Sequence, residues 1–188
     1  SVVVSGADVV VVLVPDEEQA SVYWHAIEPA LEPGALLVFG HGLALETQTF
    51  EPKRNDVVLV TGDLSGARPR CRVAVHHDAT GRALERALAY ARAAFGPEAT
   101  VGTTTVSAEV DAEIAALSER AGGMAALLAS IEQSEMRVRD THAPEEAKVA
   151  FYEGLRELVA RRLSETNTVE RGSGTSLVFW RGPGGGLA

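Results

Sequence analysis

A chain of 188 residues, 46% of them hydrophobic, has material for one domain or one and a half around a real core. Its formal charge of −9, with nothing more basic than the alternating Arg68, Arg70 and Arg72, argues against nucleic acid or an anionic membrane as partner, since both need clustered Lys and Arg. The single cysteine, Cys71, excludes a disulfide framework within the chain and points to a reducing, cytoplasmic setting, and no apolar run approaches the ~18 residues of a membrane span.

The N-terminal segment is apolar but has no basic lead-in of the secretory kind. Its start at Ser1, close to the first apolar run, suggests a processed or truncated chain. That run, Val9 to Val14, is unbroken and ends in Pro15-Asp16. A second, Ala35 to Phe39, ends in Gly40-His41-Gly42. Uninterrupted Val/Leu runs suit strands buried on both faces of a parallel sheet. Glu17 to Leu31 between them is long enough for a crossover helix. A third strand is expected at Asp56 to Val60, followed by the loop Thr61 to Gly66, and a fourth at Cys71 to Val75. The turn His76 to Gly81 opens a helix to Phe95, with Ala83, Leu84, Ala87, Leu88 and Ala91 at helical spacing, and Gly96-Pro97 stops it.

Thr100 to Thr105 reads as a short extended link, after which Ala, Glu, Leu and Arg dominate. Breaks at Gly122-Gly123 and Thr141 to Pro144 divide that part into helices near 106–120, 123–136 and 144–164. Leu177 to Trp180 reads as a terminal strand, and Phe179 with Trp180 as a docking element for a partner chain. The fold class is α/β: a partial Rossmann-type parallel sheet over 1–100, then a shortened all-α domain over 101–188. Ligands in such sheets bind at strand C-ends, where Asp16 and His41 fall.

Several segments together resemble ketol-acid reductoisomerase (acetohydroxyacid isomeroreductase), a family of NADPH- and magnesium-dependent enzymes of branched-chain amino-acid synthesis. They are ADVVVVLVPDEEQASVY (7–23), IEPALEPGALLVFGHG (27–42), DVVLV (56–60), VAVHHDATGRALERALAYA (73–91) and GTTT (102–105). The resemblance implies a truncated, diverged member. It places cofactor contacts at Asp16, Glu17, Gln19 and Gly66, and an active-site histidine at His41. Phe151 to Leu158 echo the family's second metal-binding helix, which implies Glu153 and Glu157 as metal ligands, Glu157 also with a catalytic role. Thr166 falls on a serine that contacts substrate. Dimerisation, or a partner chain that completes the sheet, is implied as well.

The departures are equally specific. No Gly-x-Gly-x-x-Gly precedes residue 7, so the usual pyrophosphate loop has no counterpart. The family's loop lysine falls on Asp63. Its first metal-binding pair falls on Ala112 and Ala116, or in the neighbouring register on Glu113 and Leu117. NADPH and magnesium are thus implied by resemblance and opposed by missing parts.

Each site residue has a plainer reading. His41 lies between glycines that let a ligand approach, or is a packed turn residue. Asp16, Glu17 and Gln19 also suit helix capping. Glu109 and Glu113 make a displaced metal pair or, more simply, a solvated acidic face. Glu153 and Glu157 otherwise flank Arg156 in weak surface pairs. His76, His77 and Asp78 read as a turn or cap rather than a metal site, and the three arginines as a strand-edge ladder rather than a phosphate grip. Tyr23 and Trp24 are expected to pack on the sheet. The functional expectation is an enzyme acting on a small carbonyl or hydroxy acid that has lost the standard reaction, with a non-catalytic binding or assembly module as the alternative. A fragment of an authentic NADPH-dependent reductoisomerase is a third reading.

Overall fold

The computed structural model describes residues 4–47, 51–64, 66, 68–135 and 144–172. One sheet holds β1 (Val9–Val12), β2 (Leu36–Phe39), β3 (Asp56–Asp63), β4 (Arg70–His77) and β5 (Thr100–Thr103), in that spatial order. The first three strands are parallel, with Val12 beside Phe39 and Phe39 beside Leu59. Their pleat sends Leu37, Phe39, Val57 and Leu59 to one face and Leu36, Val38, Val58 and Val60 to the other. Helices cover both faces of the central strands, which is why these runs show no polar alternation.

The fourth strand departs from a purely parallel sheet. β3 and β4 are antiparallel, from Asp63 beside Arg70 to Val57 beside His77. The connection between them is far too short for the crossover that a parallel neighbour requires, so a hairpin is the available geometry. Arg70 Nη2 meets Asp63 Oδ2 at 3.0 Å across it, the strand-edge pairing expected of that arginine. β5 returns parallel to β4 after α3 (Ala83–Phe95).

Ala83, Ala87 and Ala91 are fully buried on one stripe of α3, small enough to seat it on the second face of the sheet. Asp78 Oδ1 accepts the Ala83 amide at 3.1 Å at the start of this helix. Asp56, wholly buried, accepts the Thr80 amide at 2.9 Å and hydroxyl at 2.7 Å, and pairs with Arg86 at 2.8 Å. Burial pushes the Asp56 carboxyl up, but the bonds from Thr80 and Arg86 outweigh it and hold it below the usual range.

The first crossover is α1 (Asp16–Val22), a π turn over Tyr23–Ile27 and a 3₁₀ turn over Glu28–Ala30. Tyr23 is buried, but Trp24 is 51% exposed and does not pack on the sheet as expected. The π turn carries the extra residue that alters the helical phase at this point. Inside the expected polar connection lies α2 (Leu43–Glu46), with Leu43, Ala44 and Leu45 buried.

α4 (Val106–Ala121), α5 (Met124–Glu135) and α6 (Glu145–Gly172) follow, close to the expected bounds except that α6 runs further. The Thr105 hydroxyl accepts the Ala108 amide at 3.1 Å and caps α4. Gly122, at φ 88°, supplies the left-handed residue that ends it, and α5 leaves at 86° to α4. Val110, Ile114, Leu127, Ile131, Phe151, Leu155 and Val159 then join Leu37, Phe39 and Leu59 in one cluster on the first face. Among the described residues, no single helix is long and apolar enough to cross a membrane. Leu177 to Trp180 lie outside the described residues.

Candidate functional site

β1 and β2 are parallel, so their C-ends open at the same edge of the sheet. Asp16 follows β1 as the first residue of α1, and His41 follows β2 by two residues. α4 brings Glu113 to the same place: its Oε1 lies 3.6 Å from His41 Nδ1. One donor atom from each of Asp16, His41 and Glu113 lies within 4.8 Å of the other two. Asp16 does not cap its own helix. Its Oδ1 accepts the Ala44 amide at 3.4 Å, so it serves the N-terminus of α2, and it also accepts Gln19 Nε2 at 3.2 Å.

The glycines around His41 have a packing role. A Cβ on Gly40 would stand 2.9 Å from Leu13 Cδ2. On Gly42 it would stand 3.0 Å from Val110 Cγ2 and 3.1 Å from Leu59 Cδ2. Gly42 therefore lets α4 and β3 close on the histidine loop, which corrects the expectation that both glycines leave room for a ligand.

One turn before Glu113, Glu109 pins α4 to the sheet. It is only 8% exposed, with Arg72 Nε 2.7 Å from Oε1 and the Thr61 hydroxyl donating to Oε2 at 2.8 Å. A solvated acidic face is thus not what α4 presents at this point. The four-residue spacing puts Glu113 on the same side of the helix as Glu109, aimed along the strand ends.

Burial raises the Asp16 carboxyl to about 6, helped by the nearby charge of Glu113 and opposed by His41 and the Ala44 amide. Burial also raises Glu113, and His41 again opposes it. Two carboxyls that burial makes harder to ionise stand beside an imidazole, so the site groups three side chains able to hold or pass a proton. The side chain of His41 is 57% exposed and reaches solvent at the open side.

The remaining expected residues lie elsewhere. Gln19 is fully buried beneath Asp16, with Oε1 lacking a partner among the described residues. Glu17 is half-buried in a first turn that also carries Asp16 and Glu18, and three acids there repel a phosphate from this helix N-terminus. Gly66 is exposed in the β3–β4 turn. Glu153 and Glu157 are exposed on α6, outside the metal-capable group formed by Asp16, His41 and Glu113. The Thr166 hydroxyl, also exposed, donates to the Arg162 carbonyl of its own helix at 3.0 Å. His77 Nε2 contacts the Lys53 carbonyl at 3.0 Å, and Asp78 caps α3. Ala112 and Ala116 offer no donor atoms, and in the neighbouring register Leu117 offers none beside Glu113, so neither register keeps the carboxylate pair that would hold magnesium on α4. Nor do the described residues fit a pyrophosphate at α1.

Sequence reasoning singled out Asp16, His41 and Glu113 separately but did not group them. Val106, Val110 and Ile114, the buried stripe of α4, carried the signal that orients Glu113.

Residues 1–100 match the family described as "Acetohydroxy acid isomeroreductase, NADPH-binding domain". The chain belongs to this family. Among solved structures, this acetohydroxy acid isomeroreductase relative is similar to an NADH-preferring ketol-acid reductoisomerase from an uncultured archean, at 27% identity and a TM-score of 0.53. The match covers 88% of this chain and 56% of that one, so the chain spans little more than half the reductoisomerase's length. A semialdehyde dehydrogenase NAD-binding protein from Cupriavidus necator, solved with calcium and NAD, shares the fold at 17% identity. Its TM-score is 0.53, with 94% of this chain and 67% of that one covered.

Proposed function

We propose that the chain is an oxidoreductase-type member of the isomeroreductase family that acts on a small carbonyl or hydroxy acid at the Asp16–His41–Glu113 site. The observation that carries the reading is the meeting of these side chains at the C-ends of adjacent parallel strands, 3.6 Å separating His41 from Glu113. Family membership supports a nicotinamide cofactor, which supplies or accepts the hydride. The pyrophosphate of that cofactor would be held by groups other than the acidic start of α1.

The chain's own residues handle the proton. Glu113 orients the imidazole through Nδ1, leaving Nε2 to give or take a proton at the substrate oxygen. Asp16, its pKa raised by burial to about 6, holds its proton to a higher pH than an ordinary carboxyl and so carries less charge towards Glu113 in mildly acidic solution. The standard reaction of the family shifts an alkyl group before reduction and needs cations to stabilise the alkoxide. With Ala112 and Ala116 in place of a carboxylate pair, that reaction is absent in this reading.

The second reading is an assembly module, as a homodimer or with another chain. Val9, at 40% exposure, Val11, at 39%, and Leu13, at 72%, favour it, because they leave one face of the edge strand β1 open.

The test is a set of small 2-keto and 2-hydroxy acids, including 2-acetolactate, with NADH and NADPH. The expected result is turnover of at least one acid but not of 2-acetolactate, with a loss of about 100-fold in His41→Ala. Conversion of 2-acetolactate would overturn the loss of the standard reaction. Turnover indifferent to His41→Ala would overturn the site, and no turnover of any acid would leave the assembly module.

A further inference from the structure

We propose that Asp16, His41 and Glu113 form a three-ligand site for one divalent cation of the manganese, iron or zinc kind, with open positions for water or a substrate oxygen. The ligands come from three separate pieces of backbone: the start of α1, the loop after β2 and the middle of α4. Each piece is fixed by other contacts. Asp16 is held by the Ala44 amide, the His41 loop by close packing at Gly40 and Gly42, and Glu113 by the Glu109 anchor one turn away.

The spacing suits one ion. Donors bound at about 2.0–2.2 Å lie no more than ~4.4 Å apart. The present spread, within 4.8 Å, is a few tenths of an ångström beyond that limit, and His41 and Glu113 at 3.6 Å already lie inside it. Two features separate the group from an ordinary acidic cluster. The first is the imidazole, whose nitrogen faces a carboxylate at 3.6 Å and supplies a borderline donor. The second is Gln19, fully buried, whose amide touches Asp16 through Nε2 at 3.2 Å while its Oε1 has no partner among the described residues. A buried amide that fixes one ligand oxygen is the arrangement seen around ligating carboxylates.

The donor set also names the class of ion. Two carboxylates and an imidazole suit manganese, iron, zinc or cobalt, whereas magnesium favours oxygen donors and reluctantly gives up its water. The site shares Glu113 with one of the two registers implied by resemblance, but Asp16 and His41 are not among those carboxylate positions, whose other members here are Ala112, Ala116, Leu117 and the exposed Glu153 and Glu157. With the ion bound, its charge replaces the His41 proton as the group that polarises a substrate oxygen.

The experiment uses metal-stripped full chain and the ion alone, so it does not depend on any turnover. Mn²⁺ is titrated by electron paramagnetic resonance, with Zn²⁺ and Mg²⁺ as competitors. One Mn²⁺ per chain is expected, with nitrogen coupling in the spin-echo spectrum and displacement by Zn²⁺ at concentrations at least ~10-fold below those of Mg²⁺. His41→Ala should remove the nitrogen coupling, and His41→Ala and Glu113→Gln should each weaken binding at least ~10-fold. Glu153→Gln with Glu157→Gln should leave binding unchanged. Melting curves of the metal-free variants show whether a loss is one of folding, and Asp16→Asn, isosteric at Oδ1, repeats the test with the least disturbance. Three results would overturn the proposal: no binding at millimolar Mn²⁺, bound Mn²⁺ without nitrogen coupling, or binding lost only in the Glu153/Glu157 variant.

Discussion

Asp16 begins α1, yet its carboxylate accepts the Ala44 amide at the start of α2 and faces Glu113, and this placement makes it costly in its charged form. Its pKa rises from 3.8 to about 6, chiefly through burial. A carboxyl raised on folding binds more protons in the native chain than in the unfolded one between those two values. Its contribution is therefore present below pH 3.8 and is lost as pH rises through about 6. At about 1.4 kcal/mol per pKa unit the full cost is on the order of 3 kcal/mol, and partial solvent access reduces it to about 1–2 kcal/mol. Asp16→Asn keeps an acceptor for Ala44 and removes the charge. In metal-free protein it should raise stability by about 1–2 kcal/mol at pH 8 and by almost nothing at pH 4. Urea midpoints at the two pH values check this, and a variant less stable at pH 8 would contradict it. The sequence made Asp16 visible at a strand end, as a local cap or, by resemblance, a cofactor contact. Its partner amide lies 28 positions away, and no local pattern marks such a pairing.

At the scale of elements, the position of Glu113 depends on how α4 is fixed. Composition and the Gly122-Gly123 break made the helix legible, whereas its buried stripe, Val106, Val110 and Ile114, came only with the structure. The role of Glu109 was not legible, because its partners Thr61 and Arg72 come from β3 and β4. Those strands meet as a hairpin, whereas the sequence suggested a parallel continuation. Arg72 itself looked like one rung of a surface ladder. It is instead the counter-charge of a buried carboxylate, 2.7 Å away. Removing it by Arg72→Ala leaves Glu109 charged and partly unpaired, which should cost about 1–3 kcal/mol. Neutralising the acid as well, in Arg72→Ala with Glu109→Gln, removes the unpaired charge while Thr61 keeps an acceptor. The double variant should be more stable than Arg72→Ala alone. Chemical denaturation of the two variants gives the order directly, and simple addition of two losses would refute the anchor.

For the whole molecule, the family match and the core have different extents. The match covers residues 1–100, and the sequence likewise divides there into an α/β part and a helical part. The hydrophobic core does not divide at that point. Leu37, Phe39, Val57 and Leu59 lie in one cluster with Val110, Ile114, Leu127, Phe151, Leu155 and Val159 from the three following helices. On the other face α3, from within the first 100 residues, covers Leu36, Val38 and Val58 unaided. A piece comprising residues 1–100 would therefore keep one covered face and, on the other, retain only the part covered by Ala20, Tyr23, Ile27 and Leu43 to Leu45. Each large apolar side chain moved to water there costs about 1.5–3 kcal/mol, so losing the cover of four exceeds the margin of about 5–15 kcal/mol typical of a domain or consumes most of it. The full chain should accordingly unfold in a single transition, with circular dichroism and fluorescence superimposing. Residues 1–100 alone should bind a hydrophobic dye and melt without cooperativity. If that piece instead gave a sharp transition of its own, the helices would be an added layer rather than part of the core. The site would then have to be explained without α4 as a fixed wall, since Glu113 reaches His41 only because the helix is packed against β3 and the Gly42 loop.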